Sequence, residues 1–320
     1  MSQKSSNPPF FMPTPYFGIS LGTSAFTLAW LHLGRVMPSP ALNIIGNILS
    51  VLSITIFVIF ALIFIYRLFK DQEGLSDEYH CPTRFSFFAL IFISTMLLGD
   101  ILVLRGFFIG DILIWAGSIG GALFSIIRIG YLWRGDCFIQ GATLPPFYLP
   151  VVAMNFTSAS SLALLGFGDL GYLFLGAGMI AWIIYEPVLL QNLRLNATPD
   201  PLKPTFGIIL APAFVGSSAY LSINGGEIDL FVKLLWGYGF LQAFFLLRLL
   251  GFVYKPGFNM GFWGFSFGLA TMANSAIFFY TAGVLTPLAI IAFVFANACF
   301  IILLLWTLLR ILQGKFWLKS

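Results

Sequence analysis

The chain has 320 residues, of which 59% are hydrophobic and only 9% charged, with a formal net charge of +4. Soluble domains are about half apolar and about a quarter charged, so a surface of ordinary composition facing water is excluded, and the small positive balance gives no basis for a nucleic-acid partner. The chain is read as an all-α integral membrane protein in contact with the lipid bilayer.

Residues 1–14, with Asn7, Pro8, Pro9 and Pro13, read as a short tail, and the apolar run after them lacks a small-residue cleavage site, so no cleaved signal peptide is expected. A spanning helix needs about 20 mainly apolar residues. Ten runs qualify: 16–33, 43–69, 84–104, 111–133, 147–166, 170–192, 205–223, 229–250, 258–281 and 286–312. One transmembrane domain over 15–313 accounts for all of them, leaving 314–320 as a C-terminal tail.

A motif recurs along these runs. A proline, then an aromatic residue one to three positions later, appears at Pro15-Tyr16-Phe17, Pro82-Thr83-Arg84-Phe85, Pro146-Phe147-Tyr148, Pro204-Thr205-Phe206 and Pro256-Gly257-Phe258. Each copy opens one apolar run and is followed by a second before the next copy, the pattern of five tandem helical hairpins. Proline at a helix start is common in any membrane protein, because its missing N–H costs nothing there.

The two halves of each hairpin differ. The odd-numbered runs carry small and polar residues, among them Gly18, Ser20, Gly22, Ser94, Ser158, Ser217, Ser266, Gly268, Thr271 and Asn274, whereas even-numbered runs such as 54–65 and 301–305 are greasier. A single small residue serves close helix packing. Five helices with one bias are read as surrounding a shared polar axis, with the even helices toward lipid. Pro150 and Pro212, inside the fifth and seventh runs, would free carbonyls and bend those helices, and Gly268 offers the ninth the same opportunity.

Basic residues fall mostly on one side: Lys4, Arg67, Lys70, Arg84, Arg134, Arg194, Lys203, Arg248, Lys255, Arg310, Lys315 and Lys319, against Arg35 and Arg105 opposite. Both termini are therefore expected in the cytoplasm. The mixed-charge connector 67–84 is read as a solvated loop. Cys81, Cys137 and Cys299 have no metal-ligand spacing, so neither a disulfide nor a metal is expected. Intramembrane charges are functional candidates by default. Asp100, Arg105, Arg128, Glu186 and Arg248 lie mostly near helix ends or on even helices, and interhelical pairing or anchoring is favoured over substrate contact. His32 and His80 read as interfacial. No nucleophile, metal or phosphate-loop pattern is present, so neither an enzyme nor a cofactor is expected.

Several strings carry a more specific signal: Phe17-Gly18-Ile19, the stretch from Asn155 to Gly166, the stretch from Gly176 to Trp182, Leu210-Ala211-Pro212-Ala213-Phe214-Val215, and Phe265-Ser266-Phe267-Gly268-Leu269-Ala270. Together they resemble the tellurite-resistance/dicarboxylate transporter family, which includes the plant guard-cell slow anion channels. The resemblance implies ten helices with quasi-fivefold symmetry, odd helices around a central pore within each subunit, and a homotrimer in a bacterial inner membrane. It implies that Phe267 occludes the pore, with Leu21 and Val215 beside it and Gly18, Gly22, Ser94, Ser158, Ser266 and Gly268 along the lining. It further implies small inorganic anions such as chloride or nitrate as the conducted species. The alternative is a secondary transporter exporting dicarboxylates or tellurium oxyanions, against which the shortage of basic residues on the odd helices argues. The family's prolines in the first and third helices are replaced here by Ser20 and Phe92.

Overall fold

A computed structural model describes residues 12–135 and 143–316. Cys137, Lys4, Lys319 and most of both expected tails lie outside the described residues. Among the described residues there is no strand. The α-helices are α1 (Phe17–Val36), α2 (Pro40–Lys70), α3 (Gln72–His80), α4 (Ala89–Leu104), α5 (Ile109–Leu132), α6 (Met154–Leu164), α7 (Gly168–Leu195), α8 (Ala211–Ile223), α9 (Leu230–Arg248), α10 (Leu250–Val253), α11 (Gly264–Thr281) and α12 (Thr286–Leu312).

Nine helical segments among the described residues are long and apolar enough to cross a membrane. α1 has the length, with 20 residues, but Ser20, Thr23, Ser24 and His32 dilute its hydropathy, and it is not one of the nine. Those residues can be polar because of where they sit. Every residue from Phe17 to Thr27 is buried inside the protein rather than offered to lipid.

Packing sorts the helices into two layers. α1 packs on α4, α4 on α6, α6 on α8, α8 on α11 and α11 back on α1, a closed inner ring. Each inner helix also packs against the long helix that follows it in sequence: α2, α5, α7, α9 and α12. The segments ending in α4, α6, α8 and α11 are 61–83% buried, the outer five only 17–33%. Outer residues such as Leu62, Ile126, Ile183, Leu234 and Ile291 leave large apolar side chains exposed on every side. That is a surface for hydrocarbon, since a soluble monomer rarely exposes contiguous apolar area of this extent.

The proline–aromatic repeat has a structural counterpart. Each copy leads into a tighter 3-10 segment ahead of an inner helix: Thr14–Tyr16, Phe85–Phe88, Pro145–Phe147, Asp200–Leu210 and Met260–Trp263. Before α6 the chain also makes a π-helical turn, Leu149–Ala153, around Pro150. The carbonyl of Pro150 accepts a hydrogen bond from Ser125 on α5. Pro212 lies in the first turn of α8, where proline is tolerated. There the helical type changes from 3-10 to α.

At the opposite ends α4, α6, α8 and α11 stop on glycine, whereas α1 ends at Met37. Gly106 and Gly166 adopt φ of 80° and 86°, and the next amide closes back, Phe107 to Leu102 and Phe167 to Leu162, both at 2.9 Å.

The connector 67–84 is not the solvated loop its mixed charge suggests. It contains α3, and Glu78 is buried, accepting from Arg67 at 3.0 Å and from the Thr14 hydroxyl at 2.8 Å. Arg67 also donates to Asp71 at 2.7 Å and to the Met12 carbonyl at 3.2 Å. These charges pin the segment before α1 instead of facing water, which composition alone cannot distinguish.

Candidate functional site

The inner ring encloses two cavities. On the side where the inner helices start, a constricted space of about 30 Å³ is walled by Gly18, Leu21, Phe87, Leu90, Leu149 and Ile208 among others. On the side where they end, a wider cavity of about 400 Å³ is lined by Leu97, Asp100, Val215, Ser218, Thr271 and Asn274, with His32 and Arg35 also contributing. Among the residues lining these two cavities, Phe267 alone belongs to both. Its side chain is only 5% exposed, and its carbonyl accepts from Thr271 Oγ1 at 2.8 Å.

The wide cavity is polar in an ordered way. The Asn274 amide nitrogen donates to Ser218 Oγ at 2.7 Å, so the amide oxygen accepts from His32 Nδ1 at 2.9 Å. Ser161 Oγ donates to Asp100 Oδ2 at 2.9 Å, and Asp100 Oδ1 has no protein partner among the described residues. The constricted cavity has no charged side chain among its described lining residues. From the wide cavity to the constricted one the walls present hydroxyls, amides, the Asp100 carboxyl, His32 and Arg35, then the Phe267 ring.

The sequence-derived lining residues divide. Gly18 and Leu21 line the constricted cavity and Val215 the wide one. Gly22, Ser94, Ser158, Ser266 and Gly268 line neither. A Cβ on Gly22 would meet Ser266 Cβ at 2.6 Å, so these two form a close α1–α11 contact, and Ser266 Oγ turns to the Trp263 carbonyl at 2.6 Å. A Cβ on Gly268 would stand 3.0 Å from Ala211 N, making it the α11–α8 contact. Ser94 and Ser158 are buried and donate to the Phe17 carbonyl and to Met96 Sδ, both at 3.4 Å. Of the six small residues selected, only Gly18 lines a cavity, and the other five serve contacts between inner helices. Sequence reasoning read His32 as interfacial and did not select Asp100, Thr271 or Asn274 for the wall. Their polarity on inner helices was the available signal.

Two intramembrane charges are held without an ion pair among the described residues. The carboxylate of Glu186 on α7 accepts from Trp182 Nε1 at 2.7 Å, Tyr238 OH at 2.5 Å and Gln242 Nε2 at 2.9 Å, and also from Tyr148 OH. Arg128 on α5 lies over the rings of Phe85 and Tyr79, at 4.8 and 5.2 Å. Neither lines the two central cavities.

A multi-pass membrane protein with a closed ring of buried helices around axial cavities is of the transporter or channel type. The chain belongs to the voltage-dependent anion channel (SLAC1) family, whose pattern it matches over residues 12–312. It is 54% identical over 311 residues, 97% of this chain and 94% of the relative, to the tellurite resistance protein TehA homolog of Haemophilus influenzae. It is 25% identical over 283 residues to the S-type anion channel SLAH3 of Arabidopsis thaliana, covering 85% of this chain and 44% of that longer protein. An uncharacterized transporter of Methanocaldococcus jannaschii, MJ0762, is 24% identical over 290 residues, 83% of this chain and 84% of the relative.

Proposed function

We propose that the protein is a gated channel for small monovalent anions, chloride and nitrate among them, and that the Phe267 ring is its gate. The observation that carries this reading is the position of Phe267 as the one side chain shared by the walls of the two axial cavities. The proposed architecture has ten spans, with α1 as the first, arranged as five hairpins in quasi-fivefold order within residues 15–313. Three such subunits, each with its own pore, would sit in a bacterial inner membrane with both termini cytoplasmic.

The physics favours conduction over tight binding. A pore must hold an ion strongly enough to admit it and weakly enough to release it. Ser218, Thr271 and Asn274 can replace part of a hydration shell without making a trap, and no cation lines the constricted cavity among the described residues. An anion desolvated against a phenyl ring faces tens of kcal/mol by the idealised Born estimate. Rotating Phe267 toward the wide cavity would remove most of that barrier. Anions that dehydrate easily should pass best.

The test is electrical. Currents of the unmodified chain and of Phe267→Ala are compared in chloride, nitrate and a dicarboxylate. Large, non-saturating currents in the variant support the gated channel. Silence in both forms, with saturable uptake of a dicarboxylate or tellurite, assigns the chain to carrier transport instead.

A further inference from the structure

A third cavity lies away from the axis, between the ends of α7 and α9 on the side that carries most of the basic residues. It measures about 700 Å³, within the range of about 300–1,000 Å³ typical of ligand sites. Its depth is apolar, with Phe206, Ile209 and Leu246 in the wall, its lining includes Lys203, and its rim carries Arg194 and Arg248. No carboxylate lines it among the described residues.

The three cations are not equivalent. Lys203 is buried, pairs with Asp200 at 2.6 Å and lies 4.2 Å from the centroid of the Phe252 ring, so its charge is already answered. Arg194 and Arg248 take part in none of the ion pairs among the described residues and are exposed at the cavity mouth. An inorganic anion would have no use for the hydrocarbon depth. A neutral lipid would have none for the guanidiniums. A second copy of the chain would have to bury both charges, which is costly without partners. A phospholipid with an anionic headgroup meets both requirements, and basic clefts between membrane helices are suited to such headgroups.

We propose that this cavity binds an anionic phospholipid, its phosphate held by Arg194 and Arg248 and an acyl chain lying along Phe206, Ile209 and Leu246. Guanidinium is apt for the task, because its planar fork donates two parallel hydrogen bonds to phosphate oxygens. The molecule supplies an internal comparison. A groove of about 680 Å³ along α9, α11 and α12, with Leu303 and Trp306 in its wall, has no charged lining residue among those described and would accept hydrocarbon without choosing a headgroup. The proposal does not depend on conduction, so it stands or falls separately from the reading of Phe267.

The experiment uses the full-length protein in neutral detergent, titrated with phosphatidylglycerol and with phosphatidylcholine of identical chains, and counts bound lipid by native mass spectrometry. At about fivefold per guanidinium, phosphatidylglycerol should bind roughly 25-fold tighter. Arg194→Gln and Arg248→Gln should each remove about fivefold and together abolish the preference, while the paired control Arg134→Gln with Lys315→Gln, an equal loss of charge elsewhere on the same side, should leave it intact. Equal binding of the two lipids, or an equal loss in the control pair, overturns the proposal. Should the double variant fail to fold, a benzoylphenylalanine photo-crosslinker at position 198 in the otherwise unmodified chain decides the matter. Adducts to phosphatidylglycerol in excess of phosphatidylcholine support the site, and adducts to a second subunit overturn it.

Discussion

Ser161 Oγ donates to Asp100 Oδ2 at 2.9 Å, tying α6 to α4 at the wall of the wide cavity and leaving Asp100 Oδ1 without a partner among the described residues. When Asp100 is ionised, its carboxylate places negative charge beside the proposed route of an anion. Like charges a few ångströms apart repel by about 1 to 4 kcal/mol, depending on how much water screens them. Asp100→Asn keeps an oxygen for Ser161 and removes the charge. In a Phe267→Ala background it should raise chloride conductance severalfold at low salt, with a smaller effect at high salt as screening takes over. Single-channel recording at two ionic strengths checks this, and an unchanged conductance at both would mean that Asp100 carries no charge in the resting wall.

Phe267 separates packing from gating by volume. Emptying a close-packed phenylalanine site costs about 3–5 kcal/mol, but this ring borders two spaces rather than neighbours alone. Phe267→Leu should open the route slightly and Phe267→Ala widely, with both variants losing no more than about 1–2 kcal/mol of stability because part of the site is already empty. Currents and detergent melting curves on the same preparations provide the check. A steep loss of melting temperature without current would make Phe267 a core residue.

The sequence made the layers legible because two signals reinforced each other. Apolar length marked the runs, and the serines and glycines on alternate runs marked the inner helices, which are the deeply buried ones. The proline–aromatic copies located the 3-10 segments to within a few residues, since proline forbids the hydrogen bond that a continuous helix would require. Which face each small residue presents was not legible. Gly22 and Gly18 are four residues apart on α1, yet only Gly18 lines a cavity while Gly22 abuts Ser266. Phe267 could not be separated from the other phenylalanines by composition or periodicity, and its selection rested on a family resemblance. The burial of Glu78 by Arg67 was hidden for a similar reason, because a mixed-charge connector reads the same whether it is solvated or folded back.

The α4–α5 contact is set by a reciprocal glycine pair. A Cβ on Gly99 would lie 2.8 Å from the Gly110 carbonyl oxygen, and a Cβ on Gly110 would lie 2.6 Å from that of Gly99. Backbone cannot swing aside as a side-chain tip can, so either substitution forces the helices apart. Gly99→Ala and Gly110→Ala should each destabilise by about 1–3 kcal/mol, the usual cost of overpacking. The double variant should cost less than the sum, because the first substitution already separates the helices. Thermal unfolding in detergent measures this, and additive losses would show that the two glycines act through different contacts.

The Glu186 carboxyl is held by neutral donors, and this sets the expected order of its variants. Tyr148 reaches it from the start of the π-helical turn before α6, Trp182 from its own helix, and Tyr238 and Gln242 from α9. Removing the acceptor strands several partly buried donors, each costing about 1–3 kcal/mol if no water replaces it. Glu186→Gln retains one oxygen, and a tyrosine hydroxyl can turn to accept from the new amide. Glu186→Ala should therefore lower the melting temperature well beyond Glu186→Gln. Neither should change the preference between chloride and nitrate, because Glu186 lines neither axial cavity. Reversal potentials in mixed-anion solutions, measured beside the melting curves, test both halves at once. An altered anion preference with an unmoved melting temperature would put Glu186 in the ion's path and remove it from the framework that joins α6, α7 and α9.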